Sequence, residues 1–298
     1  MNALMLYLLT RGRVDDQLTL KSLPRPWRER TIIVCPTDEA RLLGQQWSNV
    51  YKIETPPITE LYLKRKWIFE HSISERICML DDDLRFHSRR WVCHELGGLG
   101  RVGDDKLIWE AFKRHRLDAT VLELIDAKDT RMNRLFKRLE TMLDTYAHGG
   151  VNGRFMSHTV GNEFKMNSRC LHVLAYHVPT VKKVCELGRI QLSHDYDYTL
   201  QLLRAGYENA IYCWTVQDDP KGYHAPGGLS LYRTPAMVAH AGQQLATLHP
   251  GIVRLQPYHD NSPYVEFGMR TVANWKKAIK EGLEKRGVKH GTISGGGL

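Results

Sequence analysis

The sequence predicts an α/β fold built on a sheet covered by helices on both faces. Three observations point that way. Short, continuous apolar runs punctuate the first third of the chain, at Leu4 to Leu9, Thr31 to Cys35, Val50 to Ile53 and Arg76 to Leu80. Runs of this length without polar alternation suit strands buried on both sides, as in a parallel sheet. Helix-like segments at Asp38 to Trp47 and Thr59 to Ser72 separate them, and the strand–helix–strand order implies right-handed βαβ units in a doubly wound sheet. Hydrophobic residues make up 42% of the 298, enough to fill the core of a single α/β domain with insertions.

Taken in order, Ala3 to Leu9 reads as a first strand: it lacks the leading basic region and small-residue cleavage site of a signal peptide. The helix over Thr59 to Ser72 is expected to bury Leu63, Trp67, Phe69 and Ile73. Arg85 to Lys128 follows no clear period. Gly97 to Gly100 and Gly103-Asp104-Asp105 mark loops there, and Leu107 to Arg114 is a candidate helix. Residues 89–128 therefore read as an insertion in a domain spanning 1–288, with 289–298 as a flexible tail.

Asp129 to Ala147 is an amphipathic helix, with Met132, Leu135, Phe136, Leu139, Met142, Leu143 and Tyr146 at helical spacing. Gly149-Gly150 is expected to stop it. Val173 to Tyr176 and Ile211 to Val216 read as strands. Tyr196 to Ala205 reads as a helix closed by Gly206, and Asp218 to Leu231 as a long loop. Thr234-Pro235 opens a helix running to Leu248. Thr271 to Arg286 reads as a basic helix with Val272, Trp275, Ile279 and Leu283 inward.

Lys and Arg outnumber Asp and Glu by 42 to 33, a net charge of +9. That surplus favours polyanionic partners such as nucleic acid, and equally a phosphate-bearing small molecule. The six cysteines form no CxxC pair. They read as buried, reduced thiols in a cytoplasmic protein, and no close Cys/His cluster suggests zinc. No run approaches the roughly twenty apolar residues of a membrane span, so no membrane partner is expected.

The chemistry is expected at Ile77-Cys78-Met79-Leu80-Asp81-Asp82-Asp83-Leu84, an apolar strand that ends in three carboxylates. Ligands of open α/β sheets bind at the carboxyl ends of the strands. Adjacent carboxylates repel one another unless a cation neutralises them, and hard oxygen ligands suit Mg2+ or Mn2+, which bridge to phosphate. In an extended segment Asp81 and Asp83 would point the same way and share one metal, with Asp82 turned aside. Polymerase palms, phosphatases and glycosyltransferases all use strand-end aspartates, so the triplet alone does not name the reaction.

A second constellation, Ser193-His194-Asp195-Tyr196-Asp197, opens the helix that ends Arg204-Ala205-Gly206-Tyr207. Asp195 is expected at the N-cap with Asp197 in the first turn, which is also the ordinary place for helix-capping acids. This segment resembles the GT-A glycosyltransferase pattern of an acid–Asp pair followed by a helix ending Arg-Ala-Gly-Tyr, with His194 where those enzymes usually have Glu.

Other pieces follow in a shared order. They are Leu8-Leu9-Thr10-Arg11-Gly12-Arg13, Val34-Cys35-Pro36-Thr37-Asp38, Lys64-Arg65-Lys66-Trp67, Gly149 to Arg154, Gly161-Asn162 and Asn167-Ser168-Arg169. Over residues 5–220 they resemble the TET-associated glycosyltransferases, a bacteriophage group of the GT-A type.

The resemblance implies a GT-A fold, with a Rossmann-like mixed sheet flanked by helices, working in the host bacterial cytoplasm if phage-encoded. It implies transfer from a nucleotide-diphosphate sugar, such as a UDP-sugar, to the hydroxyl of a 5-hydroxymethylpyrimidine in DNA, 5-hydroxymethylcytosine above all. Asp195 would be the base in an inverting reaction. Asp81, Asp83 and His224 would hold Mn2+ or Mg2+. Thr10, Arg11, Arg13, Asp38, Lys64 and the triplet Asp81, Asp82 and Asp83 would bind the donor; Arg154, Asn162 and Asp197 would bind the acceptor. Two rivals stay open: a metal-dependent, palm-like nucleotidyltransferase, and an inactive basic DNA-binding module of the same fold.

Overall fold

The computed structural model describes residues 3–93, 98–101, 121–126, 129–154, 162–220, 228–260, 262 and 264–287. β1 (Met5–Leu9), β2 (Thr31–Val34), β3 (Lys52–Glu54) and β4 (Arg76–Asp81) form where the apolar runs placed them. They lie parallel in the order β3-β2-β1-β4. Between them lie two short helices, α1 (Leu18–Ser22) and α2 (Arg25–Arg28), then α3 (Thr37–Gln46) and α4 (Leu61–His71).

The sheet is not parallel throughout. It continues through β10 (Val173–His177), β8 (His148–Gly153), β11 (Asn209–Asp218), β5 (Arg85–Cys93) and β6 (Gly98–Arg101), while β7 (Val121–Asp126) pairs with β5 and β9 (Phe164–Met166) with β11. β10 runs antiparallel to β4 and β8, and β5 antiparallel to β11. This is the mixed, helix-flanked sheet of the expected GT-A fold. The unpatterned stretch after Arg85 thus supplies strands; the candidate helix at Leu107 to Arg114, His224 and the tail 289–298 lie outside the described residues.

Alternate residues of β1 enter two cores, as burial on both faces requires. Leu4, Leu6 and Leu8 pack with Met132, Leu135, Phe136 and Leu139 of α5 (Asp129–Met142). Met5, Tyr7 and Leu9 pack with Ile68 and Phe69 of α4, Val178 and Val181 of α6 (Val178–Val184), and Tyr198 and Leu202 of α7 (His194–Arg204). A third core joins Leu200 and Leu203 of α7 to Leu245 of α8 (Pro235–Leu248), Val253 of β12 (Val253–Pro257) and Ile279 and Leu283 of α9 (Trp275–Lys285). No helix among the described residues is long and apolar enough to cross a membrane.

Three expectations fail for identifiable reasons. Gly149-Gly150 does not stop a helix: α5 ends at Met142, and both glycines sit inside β8. A Cβ on Gly149 would lie 2.2 Å from the Ala210 carbonyl oxygen, and one on Gly150 2.3 Å from that of Val173; the pair lets two neighbouring strands close in. Thr271–Ala273 belong to β13 (Met269–Ala273), paired with β12, and not to the last helix. In α4 Phe69 is buried as expected, but Leu63 and Trp67 are only half-buried, Ile73 lies exposed after the helix, and the other buried residues are Lys64, Arg65 and Ile68. Two charged residues turned inward are a local conflict with the apolar pattern, and such conflicts mark functional positions.

β8 also buries His148, whose ring accepts a hydrogen bond from Asn209 Nδ2 at 3.0 Å and stacks beside Tyr176. Burial pushes its pKa down to about 3, so the folded state keeps it neutral while the unfolded chain protonates near 6.5. Below that value the unfolded state binds the extra proton, and stability is lost at about 1.4 kcal/mol per pH unit down towards the folded pKa. A His148→Gln variant, which keeps an acceptor and cannot titrate, is expected to cut the stability lost between pH 7 and pH 5 by about 2 kcal/mol. Urea denaturation at the two pH values measures this.

Candidate functional site

β1 and β4 end level, with Leu9 opposite Asp81. The turn Thr10-Arg11-Gly12-Arg13 therefore meets the acidic triplet. Because β10 runs the other way, with Val173 opposite Leu80, the residues just before it, Arg169, Leu171 and His172, arrive at the same edge. The ends of β8 and β11 add Gly153, Arg154, Gln217, Asp218 and Asp219. Lys64 of α4 and the segment Gly228 to Arg233 close a cleft of 570 Å3 at the carboxyl edge of the sheet.

Within it the triplet is held by three elements. Asp82 accepts from the Thr10 hydroxyl at 2.5 Å and from Arg13 Nη1 at 2.5 Å. The same Arg13 nitrogen lies 2.6 Å from Asp83. Gln17 fixes the turn by donating to Thr10 Oγ1 and the Arg13 carbonyl at 2.9 and 2.8 Å. Asp81 faces Arg65 of α4 at 3.1 Å and His172 Nδ1 at 2.7 Å. The chain turns at Asp82-Asp83, so strand alternation does not reach them. Asp82 and Asp83 share one guanidinium, and Asp81 has its own partners.

The three acids are electrostatically unequal. Burial would raise Asp81, but the His172 hydrogen bond and the Arg65 charge outweigh it and hold the carboxyl at about 2. Asp83 is pushed up to about 7 by burial and by the charges of Asp81, Asp82 and Asp219, with Arg13 acting against them. Negative charge at Asp83 is thus incompletely neutralised by the protein. Among the described residues no group of three or more His, Cys, Asp or Glu side chains is arranged to hold a metal. A hard divalent cation needs only one or two carboxylates when phosphate oxygens and water complete its shell, so Asp81 and Asp83 stay candidate ligands. Burial, then the nearby Arg11, lowers the pKa of Lys64, which is 3% exposed.

The other candidates separate. Thr10, Arg11, Arg13, Lys64 and Arg154 line the cleft, and Arg154 bonds Asp218 at 2.9 Å. Asp38 is exposed on the first turn of α3 and does not line it; its neighbour Glu39 accepts from Gly12 N at 2.8 Å and braces the turn. Asn162 is exposed and outside the cleft. Asp197 is fully buried, gripped by both arms of Arg189 at 2.9 and 2.6 Å and by His249 at 2.7 Å, which fastens α7 to the segment after α8. Ser193, not Asp195, is the N-cap of α7, in a left-handed conformation at φ 59°. Asp195, one residue into the helix, bonds Arg169 at 3.2 Å; Arg169 lines the cleft and Asp195 does not.

Sequence reasoning missed Arg65, Arg169 and His172 as site residues. Arg65 and Arg169 stood inside quoted motifs without a role. His172 carries no local signal, because only the β10–β4 register brings it to Asp81.

The model of the TET-Associated Glycosyltransferase family matches residues 4–216. The chain belongs to this family. It is therefore a glycosyltransferase, which favours sugar transfer over nucleotidyl transfer. A comparison with curated protein sequences finds no match. Among solved structures, this glycosyltransferase is similar to mannose-1-phosphate geranyltransferase from Thermus thermophilus at 12% identity and TM-score 0.41, over 78% of this chain and 80% of that one. S. aureus TarS 1-349 gives 8% identity and TM-score 0.41 over 95% and 71%. GalNAc-T7 with UDP, GalNAc and Mn2+ gives 8% identity and TM-score 0.42 over 95% and 56%.

Asp197 tests the separation of structural from functional acids in this glycosyltransferase. Asp197→Asn leaves Arg189 and His249 facing a neutral amide in a buried site, and is expected to cost about 3 kcal/mol or more. Calorimetry should show a Tm several degrees lower. An unchanged Tm with weakened acceptor use would return Asp197 to acceptor binding.

Proposed function

We propose that this glycosyltransferase moves a sugar from a nucleotide-diphosphate donor to the hydroxyl of a 5-hydroxymethylpyrimidine, 5-hydroxymethylcytosine above all, in DNA. The observation that carries the donor half is the under-neutralised Asp83 carboxyl in one cleft with Arg11, Arg13 and Lys64. The family supports sugar transfer, and the net charge of +9 suits a DNA acceptor.

In this reading Arg11 and Lys64 lie against the donor diphosphate, and Thr10 and Asp82 set the turn that presents Arg13. Asp83 and Asp81 would hold Mn2+ or Mg2+, which when bound neutralises charge on the departing nucleoside diphosphate. The acceptor oxygen forms its bond to the anomeric carbon as the bond from that carbon to the diphosphate oxygen breaks, and the hydroxyl proton passes to Asp195.

Burial would raise the Asp195 carboxyl, but the Arg169 charge, with those of His194 and Arg65, brings it below its ordinary value. While paired, Asp195 is a weak base. An acceptor that draws Arg169 aside removes the largest lowering influence and leaves burial to strengthen the base. A positioned base of this kind contributes about 100- to 10,000-fold.

Asp195→Asn, with folding checked by circular dichroism, is accordingly expected to reduce transfer at least about 100-fold. Near-normal transfer by that variant would remove Asp195 from the base role. Exhaustive chelation, and separately Asp83→Ala, should each abolish release of nucleoside diphosphate in the presence of acceptor; transfer that survives both would exclude the metal. The acceptor is tested by the mass gained by hydroxymethylated DNA incubated with a panel of nucleotide sugars and manganese. No gain with any donor, alongside glycosylation of a small-molecule acceptor, would overturn the DNA assignment.

A further inference from the structure

The residues after Val216 lie beyond the family match, yet they complete the cleft, contributing Tyr232, Arg233 and Tyr264 among others. Tyr264 leaves 38% of its surface exposed, unusual for a large ring on a cleft wall. It is also well supported. Its ring lies at 28° to that of the buried Phe267, with centroids 6.4 Å apart, and 6.1 Å from the ring of Tyr258. The short 3-10 turn Val265–Phe267 and the hydrogen bond from Tyr258 N to the Gly268 carbonyl hold the three rings together at the entrance to β13.

Two arginines lie near the Tyr258 end of this cluster. Arg169 and Arg270 are close enough for their charges to act on the Tyr258 phenol. Arg270 is exposed on β13, reaching Gln256 at 3.3 Å. Arg169 lies over the Tyr196 ring at 4.6 Å and holds Asp195. A partly exposed ring on a cleft wall, with guanidinium groups near its aromatic neighbour, is the chemistry that receives an unstacked nucleobase on its π-face and the adjoining phosphate on the cation.

We propose that Tyr264 is the platform on which the acceptor base stacks, with Arg270 taking a flanking phosphate. The base would enter out of its helical stack. This rests on the reading of the acceptor as a hydroxymethylpyrimidine in DNA. Arg169 and Tyr264 line the same cleft, so a base held on Tyr264 would share that cleft with the guanidinium that pairs with Asp195. The segment outside the family match would then add the acceptor platform, while the matched part carries the donor side and the candidate base Asp195.

The test uses the full chain, a hydroxymethylated single-stranded oligonucleotide, and the variants Tyr264→Ala and Tyr264→Phe. Fluorescence anisotropy gives oligonucleotide Kd, and transfer kinetics give the KM for acceptor and for donor. Tyr264→Ala is expected to raise acceptor Kd and KM by about fivefold or more, the lower end of one base–aromatic stack. Tyr264→Phe should stay within about twofold of wild type, because the ring and not the hydroxyl makes the contact. Donor KM should shift less than acceptor KM in both.

Unchanged oligonucleotide affinity in Tyr264→Ala, equal weakening in Tyr264→Phe, or no oligonucleotide binding by the wild type would each overturn the platform. Binding that depends on Tyr264 without sugar transfer to the oligonucleotide would support the platform and sink the acceptor chemistry. Transfer to hydroxymethylated DNA that ignores Tyr264→Ala would do the reverse.

Discussion

Three adjacent carboxylates at the end of a buried strand cannot all stay ionised without positive charge close by. The arrangement around Asp81, Asp82 and Asp83 answers this constraint from three directions. Arg13 comes from the turn after β1, Arg65 from the inward face of α4, and His172 from the residue before β10. None of the three would be placed without the sheet order β1-β4-β10. The outcome is graded: Asp81 is held low, at about 2, and Asp83 is left high, at about 7. Asp82 is raised too, because burial outweighs Arg13 and the Thr10 hydrogen bond, so of the three only Asp81 is held below its ordinary value. A site that under-compensates two of its three acids suits an added cation bearing phosphate, which is how the chain's own charges connect to the proposed nucleotide-sugar donor.

The same constraint governs α7. Its first turn carries two aspartates with opposite fates. Asp197 is locked between Arg189 and His249, a buried ion pair that fastens the C-terminal segment to the helix. Asp195, two residues earlier and so on a different side of the helix, meets Arg169 at the cleft edge. Their helix position is nearly equivalent; their neighbours make one a tie and the other a candidate base. The third core, through Leu203, Leu245 and Ile279, keeps the C-terminal segment and its Tyr264 wall against this helix.

Much of the cleft was legible from residues alone. The apolar runs ending at Leu9 and Leu80 marked two strands, and the polar residues just past them, Thr10 to Arg13 and Asp81 to Asp83, line one cleft as strand-end residues of an open sheet should. Asp38 and Asn162 show the limit. They belong to motifs of the right composition, but Asp38 is exposed outside the cleft while its neighbour Glu39 braces the Gly12 turn, and Asn162 faces solvent. Gly149-Gly150 shows another: glycines after an amphipathic helix read as a stop, whereas these serve the close approach of Ala210 and Val173 in neighbouring strands.

By itself the sequence determined where buried strands would form, that one of them would end in three carboxylates, and that positive charge would be abundant. Those follow from local pattern, since burial period and charge are properties of contiguous residues. Only the tertiary structure decided the partners. The antiparallel insertion of β10 brought His172 to Asp81, the rotation of α4 turned Lys64 and Arg65 inward, and the bend at Asp82 replaced strand alternation with a shared Arg13. Each depends on pairings between residues far apart in the chain, and side-chain charge is assigned its consequence only when those pairings set its distance and its exposure to water.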